Sequence, residues 1–256
     1  MLKFVKQEYV SYIAENAENL AVKGLRTLVL SQKIISQEDF DKWNQEYNEA
    51  LTSMENRKEK ISNVISKLEN NMDFLCVTGV EDLLQDEVAS TIDNLRNAGM
   101  KIWMLTGDKV ETATCISISA GIKAKNHKIY TIKNDEFKDM TLGDNIFKLK
   151  QRFSEYKNKI EIDPYIFIID GDTLDLALKY CEDEFFTTAM QAPSVVCCRC
   201  SPTQKRIIVK TIKKFIGDGR TAAVGDGGND VAMIQEADVG IGIVGKEGLQ
   251  ASLAAD

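Results

Sequence analysis

From Phe74 onward the sequence predicts an α/β chain with a parallel sheet covered by helices. Three observations carry this. Short apolar runs recur (FLCVTGV, KIWML, YIFIID, SVVCC and TAAV), and the last three suit strands buried on both faces. Stretches with helical spacing separate them, so the order reads strand, loop, helix, repeated. The loops TGD, GDT and GDGGND follow apolar runs directly, at the carboxyl ends of strands, where such folds bind ligands.

Taken in order, residues 1–72 differ in texture from residues 73–256. The first part holds one strand-like run, Leu25 to Leu30, and then a long polar stretch. Ser36 followed by Asp39 resembles a helix-start box, and Phe40, Trp43, Tyr47, Leu51 and Met54 recur three and four residues apart. Ile61, Val64, Ile65 and Leu68 continue the pattern, which predicts one or two amphipathic helices without chemistry of their own. FLCVTGV then reads as a buried strand, Val88, Ile92 and Leu95 as one face of a helix, and Gly99 as its stop. KIWML is the next strand, and TGDK opens a helix ending near Gly121. A helix from Pro202 to Phe215 is capped by Ser201 and turns Ile207, Ile208, Thr211, Ile212 and Phe215 inward.

Composition narrows the function. The chain has 256 residues, 44% hydrophobic and 28% charged, enough for one large domain or two small ones. Lys+Arg 32 against Asp+Glu 39 gives a net charge of −7, so a general basic footprint for nucleic acid is absent. No apolar run approaches the roughly 18 residues that cross a bilayer, and MLKFVKQEYV lacks a signal peptide's apolar core. A soluble chain is expected. The six cysteines lack a secreted disulfide pattern, and CCRC has no second Cys/His pair at zinc spacing, His127 being the only histidine. These features predict a reduced, cytosolic-facing protein.

The strongest chemical signal is VGDGGND. Glycines 225, 227 and 228 let the backbone turn tightly, while Asp226, Asn229 and Asp230 crowd oxygen donors that suit a hard cation such as Mg²⁺. The alternative is an acidic turn capping a helix at Asp230. Thr106, Gly107 and Asp108 offer a hydroxyl and backbone amides at a helix start, which fits a phosphate or, equally, a plain N-cap. Arg199 and Lys205 flank the start of the Pro202 helix. A lysine in a first turn opposes the helix dipole, which makes sense if it meets a phosphate or an aspartate. The alternative is an exposed lysine in a basic segment.

IIDGDTLDL, with Asp170, Asp172 and Thr173, looks like the nucleophile motif of the haloacid dehalogenase superfamily. Only residues 173 to 204 separate Asp172 from Lys205, and the Thr106 loop lies upstream, so a second phosphate-binding strand has no room. A strand-end turn is the expectation.

With TGD, RCSPTQK and GDGGND in that order, nearly the whole chain resembles the cytoplasmic part of a P-type ATPase. KIWMLTGDKVETA is similar to that family's TGD segment, and GLRTLVL to a nucleotide-domain strand with an ATP-contacting arginine. TGVEDLLQDEV and VGIGIVGKEGLQASLAAD resemble the phospholipid-transporting (flippase) class. The resemblance implies a haloacid dehalogenase-like, Rossmann-type core in residues 73–256 and the tail of an α+β nucleotide-binding domain in residues 1–72. It implies that Asp226 binds Mg²⁺ with support from Asp230, that Lys205 neutralises an aspartyl-phosphate, and that Thr106 holds its phosphoryl oxygens. Gly107, Asp108, Arg199 and Asn229 would line the nucleotide and phosphate cleft, with Arg26 reaching ATP.

The family's phosphorylated aspartate lies in DKTGT, which this sequence lacks. The expectation is therefore a fragment of a multi-pass membrane protein that hydrolyses ATP to move phospholipid between leaflets. The piece itself would be unable to autophosphorylate. Implied cofactors are Mg²⁺ and ATP. Implied partners are a phospholipid, met through membrane segments outside this sequence, and the accessory membrane subunit that the class often uses. The rivals are a free-standing Mg²⁺-dependent phosphatase using Asp170 and a non-catalytic binding module of the same fold.

Overall fold

The computed structural model describes residues 2–81, 83–137, 141–159, 164–245 and 249–256. The chain divides into two units, Met1–Asp82 and Leu83–Asp256.

In the first unit, helix α1 (Gln7–Val22) packs on an antiparallel pair, β1 (Arg26–Gln32) and β2 (Asp73–Val80). Val10, Ile13, Ala17 and Leu20 carry the spacing that forms α1, a helix outside the sequence reading, and Ile13 is fully buried. Between the strands, where one or two amphipathic helices are expected, there are two, α2 (Gln37–Thr52) and α3 (Arg57–Leu68). Ser36 caps α2 by accepting from the Asp39 amide at 3.1 Å, and the Trp43 indole donates to the Val64 carbonyl at 3.0 Å. FLCVTGV is thus a strand, but not a buried one of the parallel sheet. It pairs with β1, and Leu75 and Cys76 are exposed.

The second unit is α/β with a Rossmann-type parallel sheet. Its elements are α4 (Val88–Asn97), β3 (Ile102–Leu105), α5 (Val110–Ser119) and β4 (Lys128–Ile132), then a 3₁₀ turn (Asn134–Phe137) and α6 (Leu142–Lys159). There follow β5 (Tyr165–Ile169), α7 (Gly171–Tyr180), α8 (Glu182–Ala189), β6 (Ser194–Cys197) and α9 (Pro202–Ile216). The last are β7 (Ala222–Gly225), α10 (Val231–Glu236), β8 (Val239–Gly242) and α11 (Gln250–Leu253). Four strands pair in parallel in the order β3-β6-β5-β4.

Strand alternation sorts the core. Tyr165, Phe167, Ile169, Val195 and Cys197 face α6, α7, α8 and α9 through Phe153, Leu174, Phe185, Phe186 and Ile208. Ile166, Ile168, Val196 and Cys198 face α4 and α5 through Val88, Ile92, Val110 and Ala113. With helices on both faces, β5 and β6 are buried throughout, as their unbroken apolar runs require.

Two expectations change here. TAAV forms β7, but among the described residues it pairs only with β8, in a separate two-stranded parallel sheet, and Val224, Val239 and Ile241 are exposed on its outer face. On α9, Ile208, Val209 and Thr211 turn inward, whereas Ile207 and Phe215 are exposed, Phe215 lying stacked on Phe186. No helix among the described residues is long and apolar enough to cross a membrane. Asp82 and Lys246, Glu247 and Gly248, which belong to the runs that resemble the flippase class, lie outside the described residues.

Candidate phosphate and metal site

Backbone hydrogen bonds build the Thr106 loop. The sheet pairing of β3 with β6 continues past the strand ends: the Thr106 amide donates to the Cys197 carbonyl at 2.9 Å, and the Cys200 amide donates to the Thr106 carbonyl at 2.9 Å. The Arg199 amide then donates to the Asp108 carbonyl at 3.0 Å. Arg199 sits at φ 51°, in the left-handed region that costs a side-chain-bearing residue about 1–2 kcal/mol, so the surrounding bonds must hold it there. Thr106 does not cap α5, whose N-cap is Lys109. Its hydroxyl instead donates to Asp108 Oδ2 at 2.8 Å and accepts from the Asp108 amide at 3.1 Å.

Lys205 lies in the first turn of α9, which begins with a complete capping box between Ser201 and Gln204. Far from being an exposed lysine, it is buried, and its Nζ donates to Asp230 Oδ1 at 2.7 Å. Asp230, at the start of α10, makes no cap hydrogen bond there, so its carboxylate is spent on Lys205 and not on the helix. Attraction inside a low-dielectric site is strong, but each charge has also lost its water, and the pair holds only because both members are present.

Gly225 above all is needed for this placement. A Cβ at Gly225 would lie 2.4 Å from Asp230 Cβ, and one at Gly227 would lie 2.3 Å from Asn229 Oδ1. Asp226 and Asn229 stand exposed beside the buried Asp230. Among the described residues no group of three or more His, Cys, Asp or Glu side chains forms a metal cage. That donor set fits Mg²⁺, which typically binds through one or two carboxylates and keeps waters and phosphate oxygens for the rest. Leu105, at the end of β3, packs on the cluster of Val209, Ala223 and Met233, which ties β3 to α9, β7 and α10.

Two contributors were missed in the sequence. The Gln204 side chain donates to the Gly171 carbonyl at 2.8 Å and to Asp175 at 2.6 Å, fixing α9 on α7; Ser201-x-x-Gln204 was a legible capping-box signal. Glu111, on α5, pairs with Lys133 at 2.6 Å. Burial works to raise its carboxyl, but the Lys133 bond, its own backbone amide and the charges of Lys133 and Arg199 hold it below the ordinary value.

Asp170 is a strand-end turn. One carboxylate oxygen accepts from the Thr173 amide at 2.8 Å, capping α7, and the other accepts from the Asn134 amide. Arg26 lies on β1 in the first unit, paired in register with Val80.

No family model matches the chain. It is 46% identical over 250 residues to a probable phospholipid-transporting ATPase IIB of Danio rerio, a match covering 97% of this chain and 21% of that protein. Against the phospholipid-transporting ATPase NEO1 of Saccharomyces cerevisiae the identity is 46%, covering 96% of this chain and 20% of the relative. The phospholipid-transporting ATPase DRS2 of the same yeast is 39% identical, over 97% and 18%. The chain thus spans about a fifth of the length of these curated relatives. By sequence, the chain is thus similar to one part of these phospholipid-transporting ATPases.

Proposed function

We propose that this chain supplies the phosphate- and magnesium-handling groups of an ATP-driven phospholipid transporter, on the cytosolic side of a multi-pass membrane protein. The observation that carries the reading is the buried Lys205–Asp230 pair beside the glycine loop that presents Asp226. Phosphoryl transfer needs positioned charge more than covalent machinery. Lys205 stabilises the negative charge of an aspartyl-phosphate, and Asp230 holds its ammonium in place. The Thr106 hydroxyl and the Gly107 and Asp108 backbone bind phosphoryl oxygens, while Asp226, supported by Asp230, holds Mg²⁺. When bound, Mg²⁺ neutralises charge developing on the phosphoryl oxygens. Asn229 and Arg199 line the cleft, and Arg26, in a nucleotide-binding part formed by residues 1–72, contacts ATP.

The nucleophilic aspartate comes from another stretch of polypeptide, since DKTGT is absent here. Asp170 does not substitute for it, because both its carboxylate oxygens already accept backbone amides. Among the described residues β3 and β7 each carry an unpaired edge, on which a strand bearing the nucleophile can pair.

A chimera tests this. The matched stretch of NEO1 is replaced by these 256 residues, and ATP hydrolysis and phospholipid transport are measured in reconstituted vesicles. The reading requires activity in the chimera and its loss on Lys205→Ala. A well-expressed, folded chimera that is inactive, or one indifferent to Lys205→Ala, sinks it.

A further inference from the structure

The CCRC segment carries a second kind of chemistry. Strand alternation sends Cys197 to the α6–α9 face of the sheet and Cys198 to the opposite face. Arg199, at φ 51°, then turns the backbone so that Cys200 returns to the same core as Cys197. Both side chains join one core cluster, three residues apart across this turn, and the Cys200 thiol donates to the Cys198 carbonyl at 3.9 Å. Both are buried, Cys197 completely and Cys200 with 8% of its surface exposed, so Cys200 lies nearer to solvent. Cys198 points to the other face, where burial pushes its thiol up to about 12; Cys200 and burial raise the Cys197 thiol as well. The backbone of this segment holds the Thr106 loop through the Thr106–Cys197, Cys200–Thr106 and Arg199–Asp108 hydrogen bonds.

We propose that Cys197 and Cys200 form a reversible disulfide under peroxide, and that this bond acts on the Thr106 loop. Cys200 sulfur attacks one peroxide oxygen, the O–O bond breaks, and the products are Cys200 sulfenic acid and water. Cys197 sulfur then attacks Cys200 sulfur, the S–O bond breaks, and the Cys197 proton leaves with the departing hydroxide as a second water. Two thiols are oxidised to one disulfide and one hydrogen peroxide is reduced to two waters. A dithiol reductant reverses the change by exchange. The bond itself is independent of the proposed function; only its consequence for phosphate binding rests on reading Thr106 as a phosphate group.

The folded chain is treated with hydrogen peroxide, alkylated without reduction, digested with trypsin and weighed. Trypsin cuts after Arg199, so the disulfide joins the peptide ending at Arg199 to the one beginning at Cys200. The expected result is a linked pair that dithiothreitol separates. It persists in Cys181→Ala and Cys198→Ala and is lost in Cys197→Ala. Hydrogen exchange at the amides of Thr106 and Cys200 changes on oxidation. The absence of the linked pair in the folded unsubstituted chain overturns the proposal whatever the variants do, as does its survival in Cys197→Ala. Unchanged exchange at Thr106 and Cys200 overturns the coupling to the loop. None of these readouts requires ATPase activity, so failure of the transporter reading would leave them unaffected.

Discussion

Lys205 Nζ lies 2.7 Å from Asp230 Oδ1, with the two side chains only 6% and 8% exposed, and this pair joins the first turn of α9 to the start of α10. Breaking a buried pair from one side strands a charge, at a typical cost of about 3–5 kcal/mol, whereas replacing both partners with apolar residues is often near neutral. Lys205→Met alone should therefore lower the stability of the second unit by about that much. Lys205→Met with Asp230→Leu should recover most of it. Urea unfolding followed by Trp103 fluorescence, in a Trp43→Phe background, measures both. A double variant no more stable than the single one would show that the pair is not the cause.

Gly225→Ala should do more harm than Gly99→Ala. At Gly225 the new Cβ would lie 2.4 Å from Asp230 Cβ and 2.8 Å from its Cγ, so the buried carboxylate must move away from Lys205. At Gly99 the φ of +85° is strained for alanine, but nothing lies within 4 Å. The expected losses are about 1–3 kcal/mol or more at Gly225 and about 1 kcal/mol at Gly99. Chemical denaturation ranks the two. Only Gly225→Ala should also weaken Mg²⁺ binding.

Asp238 makes the second unit acid-sensitive in a defined window. Hydrogen bonds from the Thr221 amide and hydroxyl and from Lys213 depress its carboxyl from 3.8 to about 2. The folded form therefore binds its proton less readily than the unfolded one, and the stabilisation is fully present above the unfolded value. It fades as the pH falls from about 4 toward about 2. Melting curves across that window should show a steeper decline for the wild-type chain than for Asp238→Asn. Parallel slopes would remove Asp238 as the cause.

Titration calorimetry of the chain alone should find weak Mg²⁺ binding that disappears in Asp226→Asn. Affinity for Mg-ATP should be poor, because Arg26 is the only ATP-contacting group the family resemblance assigns to the first unit. Tight Mg-ATP binding would contradict this.

Much of the sheet was legible because burial on both faces forces a continuous apolar run, as in Tyr165–Ile169 and Ser194–Cys197. The same reasoning failed for FLCVTGV and TAAV, because local composition does not name a strand's partner: β2 found β1, and among the described residues β7 found only β8. Helices α6 to α8 also escaped. Their buried Phe153, Leu174, Phe185 and Phe186 are scattered among charges, and their inward faces show only once the sheet is in place. Three loops bearing carboxylates, a hydroxyl and a lysine were legible in the sequence. Pairing Lys205 with Asp230 was not, since the two lie 25 residues apart and only the fold brings them into contact. Nor could the sequence choose between a cap and a ligand site at Thr106; the structure excludes the cap of α5, which is Lys109, and shows the hydroxyl bonded to Asp108.

The Thr106 loop is tied to the turn after β6 by main-chain atoms, through its amide and carbonyl and the carbonyl of Asp108, while the Thr106 hydroxyl bonds only within the loop, to Asp108. Tethering of the loop to its neighbours thereby leans on the backbone more than on the side chains of Thr106 and Asp108. In a saturation scan of this stretch, substitutions at these two positions should be nearly silent when protein abundance is scored and severe when turnover is scored. Lys205, Asp230 and Gly225 should score badly on both scales. The contrast would let a geneticist, without any structure, tell the groups that do the chemistry from those that also bear the architecture.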